Sequence, residues 1–486
     1  MKISKLISSA AAVITAFASL ACFPVNAAEG RPNVDSELSD GAFIYEVVDG
    51  SYTIVKCTAT IVTEVPAIRN GVSITAIGDN AFAGCTGISE LDLPDSIKTI
   101  GNNAFAGCTG LSKIIMPNRL ESIGEFAFMG CSRLTEIELP DTLTEIPKYA
   151  FSMCDHMKEI DLPDSIKKIG EGAFYECTSL EKFRVPADLK EISQYAFQEW
   201  YSIQEIDASA NDSFVFEDDM LMDAKKTVIY RGLASIEGDL YINNGVTTIR
   251  SGAFSGCARI QNLFLPESLT SVENYAFSYC PNIKTLKFSE GLTAIGDGAF
   301  AYDQSITSIS VPTTVSSIGE MAFGFNTSAE QLILPEGIDS IGAKAFLGCD
   351  KLLRVSVPKS ITSIGSEAFG KTYNEDSIVN VDNFEMSVFS GSAAQKYAKE
   401  SKVAYTVVDK NLKNMAFIVI AAGALLAAVV FAVVLMARGR KSPDRSAKKA
   451  KKKAEEQAKE DSYEKIIDDK SDDKKNNSKK NNKNKK

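Results

Sequence analysis

An alanine–phenylalanine pair recurs along most of this chain at a constant interval. The phenylalanine of the pair stands at positions 82, 105, 128, 151, 174, 197, 254, 277, 300, 323, 346 and 369. Within each group of six, successive copies are 23 residues apart. One such unit is too short to bury its own apolar face, so the copies must stack on one another. The period therefore predicts a repeat solenoid.

Within a unit, the apolar residues keep fixed positions. Leu91 and Leu93 alternate before Pro94, which predicts a short strand that the proline ends, because proline cannot donate to a further ladder. Gly101 suits a tight bend, and the segment 104–108 suits a single helical turn. Each coil should add about 4.8 Å, the spacing of paired strands, so twelve coils predict a rod of roughly 60 Å.

The pattern Leu-Pro-x-Ser-Ile-x-x-Ile-Gly-x-x-Ala-Phe-x-x-Cys-x-x-Leu runs from Leu93 to Leu111. It closely resembles the BspA-like leucine-rich repeats of bacterial and some protist surface proteins, and the resemblance covers residues 41 to about 408. It implies a right-handed leucine-rich-repeat coil of short β-strands and single helical turns. It also implies surface display and adhesion to host or microbial partners, without catalysis.

The two ends of the chain carry apolar runs of different kinds. Lys2 and Lys5 precede the run Leu6–Ala21, which predicts a secretory signal peptide. Met415–Ala437 is 23 residues long without a charge, enough to cross a membrane as a helix. Basic residues crowd its C-terminal side, beginning with Arg438, which predicts a cytoplasmic tail and extracellular repeats.

These signals give a predicted organisation in eight parts. Asp49-Gly50 lies between two alternating runs and favours a hairpin that caps the solenoid. Ser392 is a suitable N-cap for a C-terminal helix. The parts are a signal peptide at 1–27, an N-terminal hairpin cap and lead-in at 28–73, repeat blocks at 74–206 and 244–385 around a hairpin insertion at 207–243, a helix–strand cap at 386–410, a transmembrane helix at 415–437 and a basic disordered tail at 438–486.

The charge of the chain, −11 in total, is unevenly distributed. Residues 28–414 hold 31 basic against 53 acidic residues, a net of −22, and residues 438–486 hold 19 against 10, a net of +9. A lysine-rich tail can bind nucleic acid, but beside a membrane helix attraction to anionic lipid is the simpler interpretation, so no nucleic-acid partner is predicted. The predicted membrane-surface residues are Arg438, Arg440, Lys441, Lys448, Lys449, Lys451, Lys452 and Lys453.

Most of the ten cysteines share one column, three residues after the marker phenylalanine. They are Cys85, Cys108, Cys131, Cys154, Cys177, Cys257, Cys280 and Cys349, and Asn326 stands in the same column. Neighbours in stacked coils would lie near enough for disulfides, but parallel Cβ vectors favour a ladder of buried thiols. His156 is the only histidine, so no histidine-based catalytic triad or multi-histidine metal site is expected, and no cofactor is predicted.

Two sets of side chains are candidates for ligand binding. On the predicted strand face, four carboxylates stand on adjoining coils, where they could receive a basic partner or calcium, or could simply form a solvated charged face. Two residues after the marker phenylalanine, three aromatic residues share a column and could form a contact surface, or merely stack along the rod. The two sets are Glu136, Glu138, Glu159 and Asp161, and Tyr279, Tyr302 and Phe325.

The sequence therefore predicts a membrane-anchored cell-surface solenoid that binds an extracellular protein or glycan and is not an enzyme. The alternative is a surface receptor or sensor that couples ligand binding to a cytoplasmic partner through the basic tail. The lack of any catalytic motif makes an ectoenzyme the least favoured class. Because the phenylalanine column repeats, it is expected to be structural, and function should lie in the columns that differ between coils.

Overall fold

Each 23-residue unit closes one coil of a β-solenoid, which confirms the predicted repeat architecture. The computed structural model describes residues 39–375 and 377–408, apart from the side chain of Glu136. Successive coils pair through two separate sets of short parallel strands. The set that precedes the proline column is called the leucine ladder here, and the set that ends in the repeated Ile-Gly pair is called the isoleucine ladder.

The leucine ladder supplies the strands that the alternating leucines predict. In each three-residue strand the central side chain points into the core and its two neighbours point outward, as in Glu90–Asp92 around Leu91. The strands are Glu90–Asp92, Lys113–Ile115, Glu136–Ile137, Glu159–Ile160, Lys182–Arg184, Glu205–Asp207, Gly238–Tyr241, Ile260–Phe264, Thr285–Lys287, Ser308–Ser310, Gln331–Ile333, Arg354–Ser356 and Glu385–Val388.

The isoleucine ladder adds to the sequence analysis, which placed a tight bend at the glycine and no strand before it. After the six-residue strand Val72–Ile77 of the first coil, two-residue strands form there in the later coils. They pair in parallel between coils, as Thr99–Ile100 does with Ser122–Ile123, with an interruption between Ser122–Ile123 and Glu145–Ile146. The further strands are Glu145–Ile146, Lys168–Ile169, Glu191–Ile192, Thr248–Ile249, Ser271–Val272, Ala294–Ile295, Ser317–Ile318, Ser340–Ile341 and Ser363–Ile364.

The predicted single helical turns are also wrong, because the Ala-Phe segments form hydrogen-bonded turns instead. Residues in the left-handed region bracket each phenylalanine, for example Asn103 with φ 54° and Gly107 with φ 71° around Phe105. A helix cannot propagate through left-handed residues spaced four apart. The turns still join neighbouring coils, since the Phe105 N–H donates to the carbonyl of Ala127 at 2.7 Å. Within the described residues, the one helix is Ala393–Glu400.

The marker phenylalanines form the centre of the core. Eleven of the twelve are at most 1% exposed, and Phe197 is 4% exposed. From Phe82 to Phe174 neighbouring rings stack with centroids 4.9 to 5.7 Å apart, and from Phe254 to Phe369 they stack at 4.9 to 5.5 Å. This spacing follows from the strand spacing of the ladders. The repeated pair is therefore structural, as the sequence indicates.

A hairpin covers the N-terminal end of the solenoid. Its strands Phe43–Val48 and Ser51–Cys57 are antiparallel, and the turn residues Asp49 and Gly50 both have positive φ, as a two-residue hairpin turn requires. The second strand pairs in parallel with Val72–Ile77, so the cap continues the isoleucine ladder. A short strand, Ile68–Arg69, pairs antiparallel with the same element.

Between the two blocks lies a small antiparallel sheet. Phe214–Glu217 pairs with Met220–Asp223, which in turn pairs with Val228–Gly232. The last of these strands then pairs in parallel with Thr248–Ile249 and starts the isoleucine ladder of the second block. Gly238–Tyr241 falls inside the predicted insertion 207–243, but it pairs with the leucine-ladder strand that follows it. The antiparallel part therefore ends before residue 238.

Arg231 fills the core beside this insertion. Its side chain is fully buried and its guanidinium donates to the backbone carbonyls of Trp200, Gly252 and Ser255, at 2.6 to 3.2 Å. Burial lowers the pKa of Arg231. Trp200 takes the place of the column cysteine and donates from its indole N–H to the carbonyl of Phe174. The coil before the insertion and the first coil after it are thus joined by buried hydrogen bonds.

The C-terminal end is closed by a helix and two further elements. Ser392 caps the helix Ala393–Glu400 by accepting a hydrogen bond from the Gln395 N–H. The Tyr397 ring packs edge-on against Phe369, the last marker phenylalanine, at 6.1 Å. The strand Ala404–Val407 pairs with Glu385–Val388, and a hairpin of Lys371–Asn374 and Ser377–Asn380 flanks them. Within residues 39–375 and 377–408, no helix is long and apolar enough to cross a membrane; the predicted span 415–437 lies outside them.

Candidate ligand-binding surfaces

The leucine ladder turns two columns of side chains to solvent, and these columns differ between the repeat blocks. In the first block they are mostly charged, and the charges pair between coils. Arg184 contacts Asp161 at 3.0 Å and Asp164 at 2.6 Å, and Lys182 contacts Glu205 at 3.8 Å. Exposed pairs of this kind contribute little stability, and they engage only part of this face, because acidic residues outnumber basic ones in its two columns.

This pairing involves the predicted group of four carboxylates. Asp161 is engaged by Arg184, while Glu138 and Glu159 are exposed. Glu136 belongs to the strand Glu136–Ile137, but its side chain lies outside the described structure. The strands of Glu136 and Glu159 belong to different sheets, because the leucine ladder is interrupted between them. No group of three or more metal-binding side chains is found within the described residues, so calcium binding by this group remains a prediction.

The second block begins with a stacked aromatic pair on the same ladder, in which one ring is exposed and the other half-buried. Tyr241 and Phe264 are register partners, and their rings stack with centroids 4.5 Å apart and planes 6° apart. Tyr241 is 51% exposed. In the neighbouring outward column, the Asn262 side chain donates to Asp239 at 2.6 Å. These four residues, Asp239, Tyr241, Asn262 and Phe264, are called the aromatic strand patch.

A groove borders the aromatic strand patch where the same strands begin. It has a volume of about 610 Å³ and is lined by Glu237, Gly238, Arg259, Gln261, Asn282 and Lys284. Flat aromatic surface beside polar groups of both charges is the composition that recognition sites favour. The sequence analysis missed Tyr241 because it assigned residues 207–243 to the insertion. Its position 23 residues before Phe264 was the available signal.

The predicted aromatic column exists as a stack. The ring centroids of Tyr279 and Tyr302 lie 4.5 Å apart and those of Tyr302 and Phe325 lie 4.7 Å apart, and the rings are nearly parallel. Tyr373 extends the stack beyond Phe325 at 5.9 Å, and Tyr201 meets Tyr279 edge-on at 6.5 Å. The two central tyrosines are half-buried and Phe325 is only 7% exposed. Burial raises the pKa of Tyr302 to about 12. Much of the ring surface is therefore already covered by neighbouring rings.

The backbone explains why this column often carries glycine. The residue two after the marker phenylalanine has positive φ in coil after coil, and Tyr279, Tyr302 and Phe325 adopt φ of 58° to 66° there. Left-handed backbone costs a non-glycine residue roughly 1 kcal/mol or more. The side chains in this column must therefore contribute packing that offsets the strain.

The same column carries two carboxylates that the sequence analysis did not single out. Glu176 and Glu199 have φ of 59° and 64°. Burial raises the pKa of Glu199. Burial, followed by the nearby charge of Glu199, raises the pKa of Glu176 to about 7. The signal available in the sequence was a departure from glycine at this position.

The cysteine column has a structural role that differs from simple apolar filling. Cys108, Cys131 and Cys177 each donate from the thiol to the carbonyl of the marker phenylalanine one coil earlier, at 3.0 to 3.2 Å. Asn326 makes the equivalent bond to Phe300 at 2.8 Å. All nine cysteines of the described residues are free thiols. Asp303 occupies the same column fully buried, and burial raises its pKa well above the usual range.

The single histidine of the sequence lies away from these surfaces. Nδ1 of His156 lies 2.6 Å from the Ser132 carbonyl on an exposed turn. The predicted membrane-surface residues, from Arg438 to Lys453, lie outside the described residues.

A family model described as BspA type leucine-rich repeat region, in six copies, matches residues 75–204, 230–328 and 325–405. These segments make up more than half of the chain. No curated protein matches the chain in a sequence comparison.

Several solved structures share the fold. A leucine-rich cell surface protein from Faecalibacterium prausnitzii is 26% identical with a TM-score of 0.55, and the match covers 76% of this chain and 98% of that one. The pneumococcal vaccine antigen PcpA is 17% identical with a TM-score of 0.51, over 76% and 98% of the two chains. A leucine-rich repeat protein from Eubacterium ventriosum is 20% identical with a TM-score of 0.51, over 68% and 93%.

Proposed function

Because the chain belongs to the BspA-type leucine-rich repeat family, we propose that it is a non-catalytic surface protein that binds an extracellular protein or glycan. The binding surface is the leucine-ladder face of the second repeat block, centred on the aromatic strand patch. The observation that carries this proposal is the exposed Tyr241, stacked on the half-buried Phe264 beside a polar groove.

The chemistry of the patch favours binding over catalysis. Stacked aromatic rings supply a large contact area and lose little conformational entropy on binding. The bond from Asn262 to Asp239 fixes two polar groups beside the rings, ready to accept or donate to a ligand. The sequence has a single histidine and no catalytic motif, which supports the same conclusion.

The location is part of the proposal. The signal peptide predicted at 1–27 and the membrane helix predicted at 415–437 would place the solenoid outside the cell and the basic tail inside. The relative from F. prausnitzii is described as a cell surface protein, which supports a surface location for this chain. Protease shaving of intact cells should release solenoid peptides and spare the tail, whereas shaving that removes tail peptides first would contradict this topology.

The binding proposal is tested with residues 28–410 on an array of glycans and extracellular-matrix proteins. We expect retention on at least one class of ligand and a loss of at least tenfold in affinity for Tyr241→Ser/Phe264→Ser with an unchanged melting temperature. Undiminished binding by that variant would contradict the assignment of the surface. Deleting Asp444–Lys486 from the full chain should leave adhesion intact, and a cellular response that disappears with this deletion would favour the receptor alternative.

A further inference from the structure

The groove beside the aromatic strand patch exposes basic side chains. Arg259 and Lys284 line it from adjacent coils, and both are exposed. Neither forms an ion pair with another side chain in the part of the chain that the structure describes. Lys287 adds a third positive charge nearby, because it follows Phe264 in the outward column of the patch. The groove therefore offers two cationic groups to a ligand.

These cations differ from those of the first repeat block, where basic side chains pair with carboxylates of a neighbouring coil. Such pairs are Lys148–Glu171, Lys158–Glu181, Lys168–Glu191, Lys182–Glu205 and Arg184–Asp161. Among the residues that line the groove, the carboxylate is Glu237, which is exposed. Residues 28–414 carry a net charge of −22, so most of the solenoid repels anions. The groove is a local exception to this charge.

The backbone places the groove and the patch on the same strands. The Gly238 N–H donates to the carbonyl of Arg259 at 3.0 Å, and the Lys284 N–H donates to the carbonyl of Gln261 at 2.8 Å. A Cβ added at Gly238 would meet no atom within 4 Å, so the first of these coils leaves the groove open. Gly238 is three residues from Tyr241 along its strand, or about 10 Å. A ligand that contacts both the groove and the ring must be extended.

The polar groups between the groove and the ring suit hydroxyls. Asp239 accepts hydrogen bonds from the Asn262 side chain at 2.6 Å and from the Tyr241 hydroxyl at 3.4 Å. A carboxylate and an amide together can accept from a ligand and donate to it. Sugar hydroxyls do both, whereas the side-chain carboxylates of an acidic peptide only accept. The flat face of a sugar ring can also stack on the exposed ring of Tyr241.

We propose that the aromatic strand patch and its groove bind an acidic oligosaccharide, with one sugar ring on Tyr241 and the carboxylate of another sugar between Arg259 and Lys284. This inference rests on the proposed function, because it names the ligand class of the same surface. The Arg259 guanidinium can hold a carboxylate through two parallel hydrogen bonds, and Lys284 adds a point charge from the next coil. Glu237 repels the same carboxylate and limits the affinity.

The test measures binding of the full chain to hexasaccharides of hyaluronan and of polygalacturonate, and to the same oligosaccharides with their carboxylates reduced to alcohols. We expect binding to at least one acidic form, binding to its reduced form that is weaker by about tenfold or more, and an affinity that falls as salt rises. Polyglutamate, an acidic peptide, should bind as weakly as the reduced form. The inference is overturned if no acidic hexasaccharide binds, or if the reduced form or polyglutamate binds equally well.

Matched variants test the residues of the groove. Arg259→Gln/Lys284→Gln should weaken binding of the acidic hexasaccharide by about tenfold or more, and Glu237→Gln should strengthen it. Lys351→Gln/Arg354→Gln is the control, because it removes the same charge, and Lys351 occupies the column of Arg259 four coils later. This control should lose less than about twofold. All five side chains are exposed, so the melting temperatures should not change. Equal losses in the two double variants would overturn the inference.

Failure of this inference can be told apart from failure of the proposed function. If Tyr241→Ser/Phe264→Ser loses binding to a neutral glycan or a protein while no acidic hexasaccharide binds, the surface is correct and the ligand class is wrong. If that variant binds every ligand as tightly as wild type does, the surface itself is wrong, and the inference fails with it.

Discussion

The first repeat block carries outward charges that pair in part between coils, whereas the second begins with a stacked aromatic pair, the exposed Tyr241 on the half-buried Phe264. In the first block, lysines and glutamates 23 residues apart form ion pairs between coils, as in Lys148–Glu171 and Lys168–Glu191. In the second block, hydroxyls replace many of these charges, and Thr270 and Thr293 each donate to the carbonyl of a residue one coil earlier. Both blocks have the same backbone fold, but their outward side chains form different surfaces.

This difference indicates how such a fold separates stability from recognition. The marker phenylalanines stack with the same spacing in both blocks, so the repeated columns make equivalent contributions to each. The outward columns are free to vary, because they do not contribute to the core. A ligand-binding surface is therefore to be sought in residues that break the repeat, such as Tyr241 and Phe264.

The largest expected effect comes from truncating a marker phenylalanine, which tests whether the cores of the two repeat blocks are equivalent. Phe151→Ala and Phe277→Ala should each lower the free energy of unfolding by about 3 to 5 kcal/mol, because both rings are fully buried. Urea unfolding measures both, with exposed Tyr241→Ala as the control that changes little. A Phe151→Ala variant that kept its stability but lost binding would contradict the structural role of this column.

An intermediate effect tests the carboxylates next to the insertion. Burial and the charge of Glu199 raise the pKa of Glu176 from 4.5 to about 7 in the folded state. The neutral form of Glu176 adds fully to the free energy of unfolding below about pH 4.5, and this contribution is lost as pH rises through about 7. Glu176→Gln should therefore be more stable than wild type at pH 8, by about 1 to 2 kcal/mol after solvent screening, and equally stable at pH 4.

Thermal melts of both proteins across this pH range provide the measurement. Glu159→Gln is the matched control, because Glu159 is an exposed carboxylate of the first block. A wild-type and Glu176→Gln pair whose melting temperatures differ equally at pH 4 and pH 8 would show that Glu176 is not held in its neutral form.

The smallest effect tests the ion pairs of the first block. Lys168 and Glu191 lie 3.3 Å apart, with 45% and 57% of their side chains exposed. A double-mutant cycle with alanine should give a coupling of about 0.5 kcal/mol or less, which falls further as salt screens the charges. A coupling well above 1 kcal/mol would mean that these pairs contribute substantially to the stability of the first block.

The repeated part of the fold could be predicted because one buried residue type marks every coil. The period, the leucine strands and the hairpin turn at Asp49-Gly50 are all local signals. The isoleucine ladder could not be predicted, because strands such as Thr99–Ile100 are two residues long and depend on the neighbouring coil for their hydrogen bonds. The left-handed turns could not be predicted either, because residues such as Tyr279 occupy a backbone conformation that favours glycine.

The candidate sites were predictable only where they kept the repeat. The stack of Tyr279, Tyr302 and Phe325 follows from their 23-residue spacing, but the burial of Phe325 depends on packing that the sequence does not reveal. Asp161 of the acidic group forms an ion pair with Arg184 of the next coil, a contact that the sequence does not reveal. Tyr241 was missed because an insertion conceals the coil to which it belongs.

The most direct test compares the affinities of two matched double variants of residues 28–410 for the same array ligand. One changes the second block, Tyr241→Ser/Phe264→Ser, and the other changes outward carboxylates of the first block, Glu159→Gln/Glu205→Gln. If the aromatic strand patch is the binding surface, the first variant loses at least tenfold in affinity and the second less than twofold, with both melting temperatures unchanged. An equal loss in the two variants, or a loss confined to the first-block variant, would contradict the account.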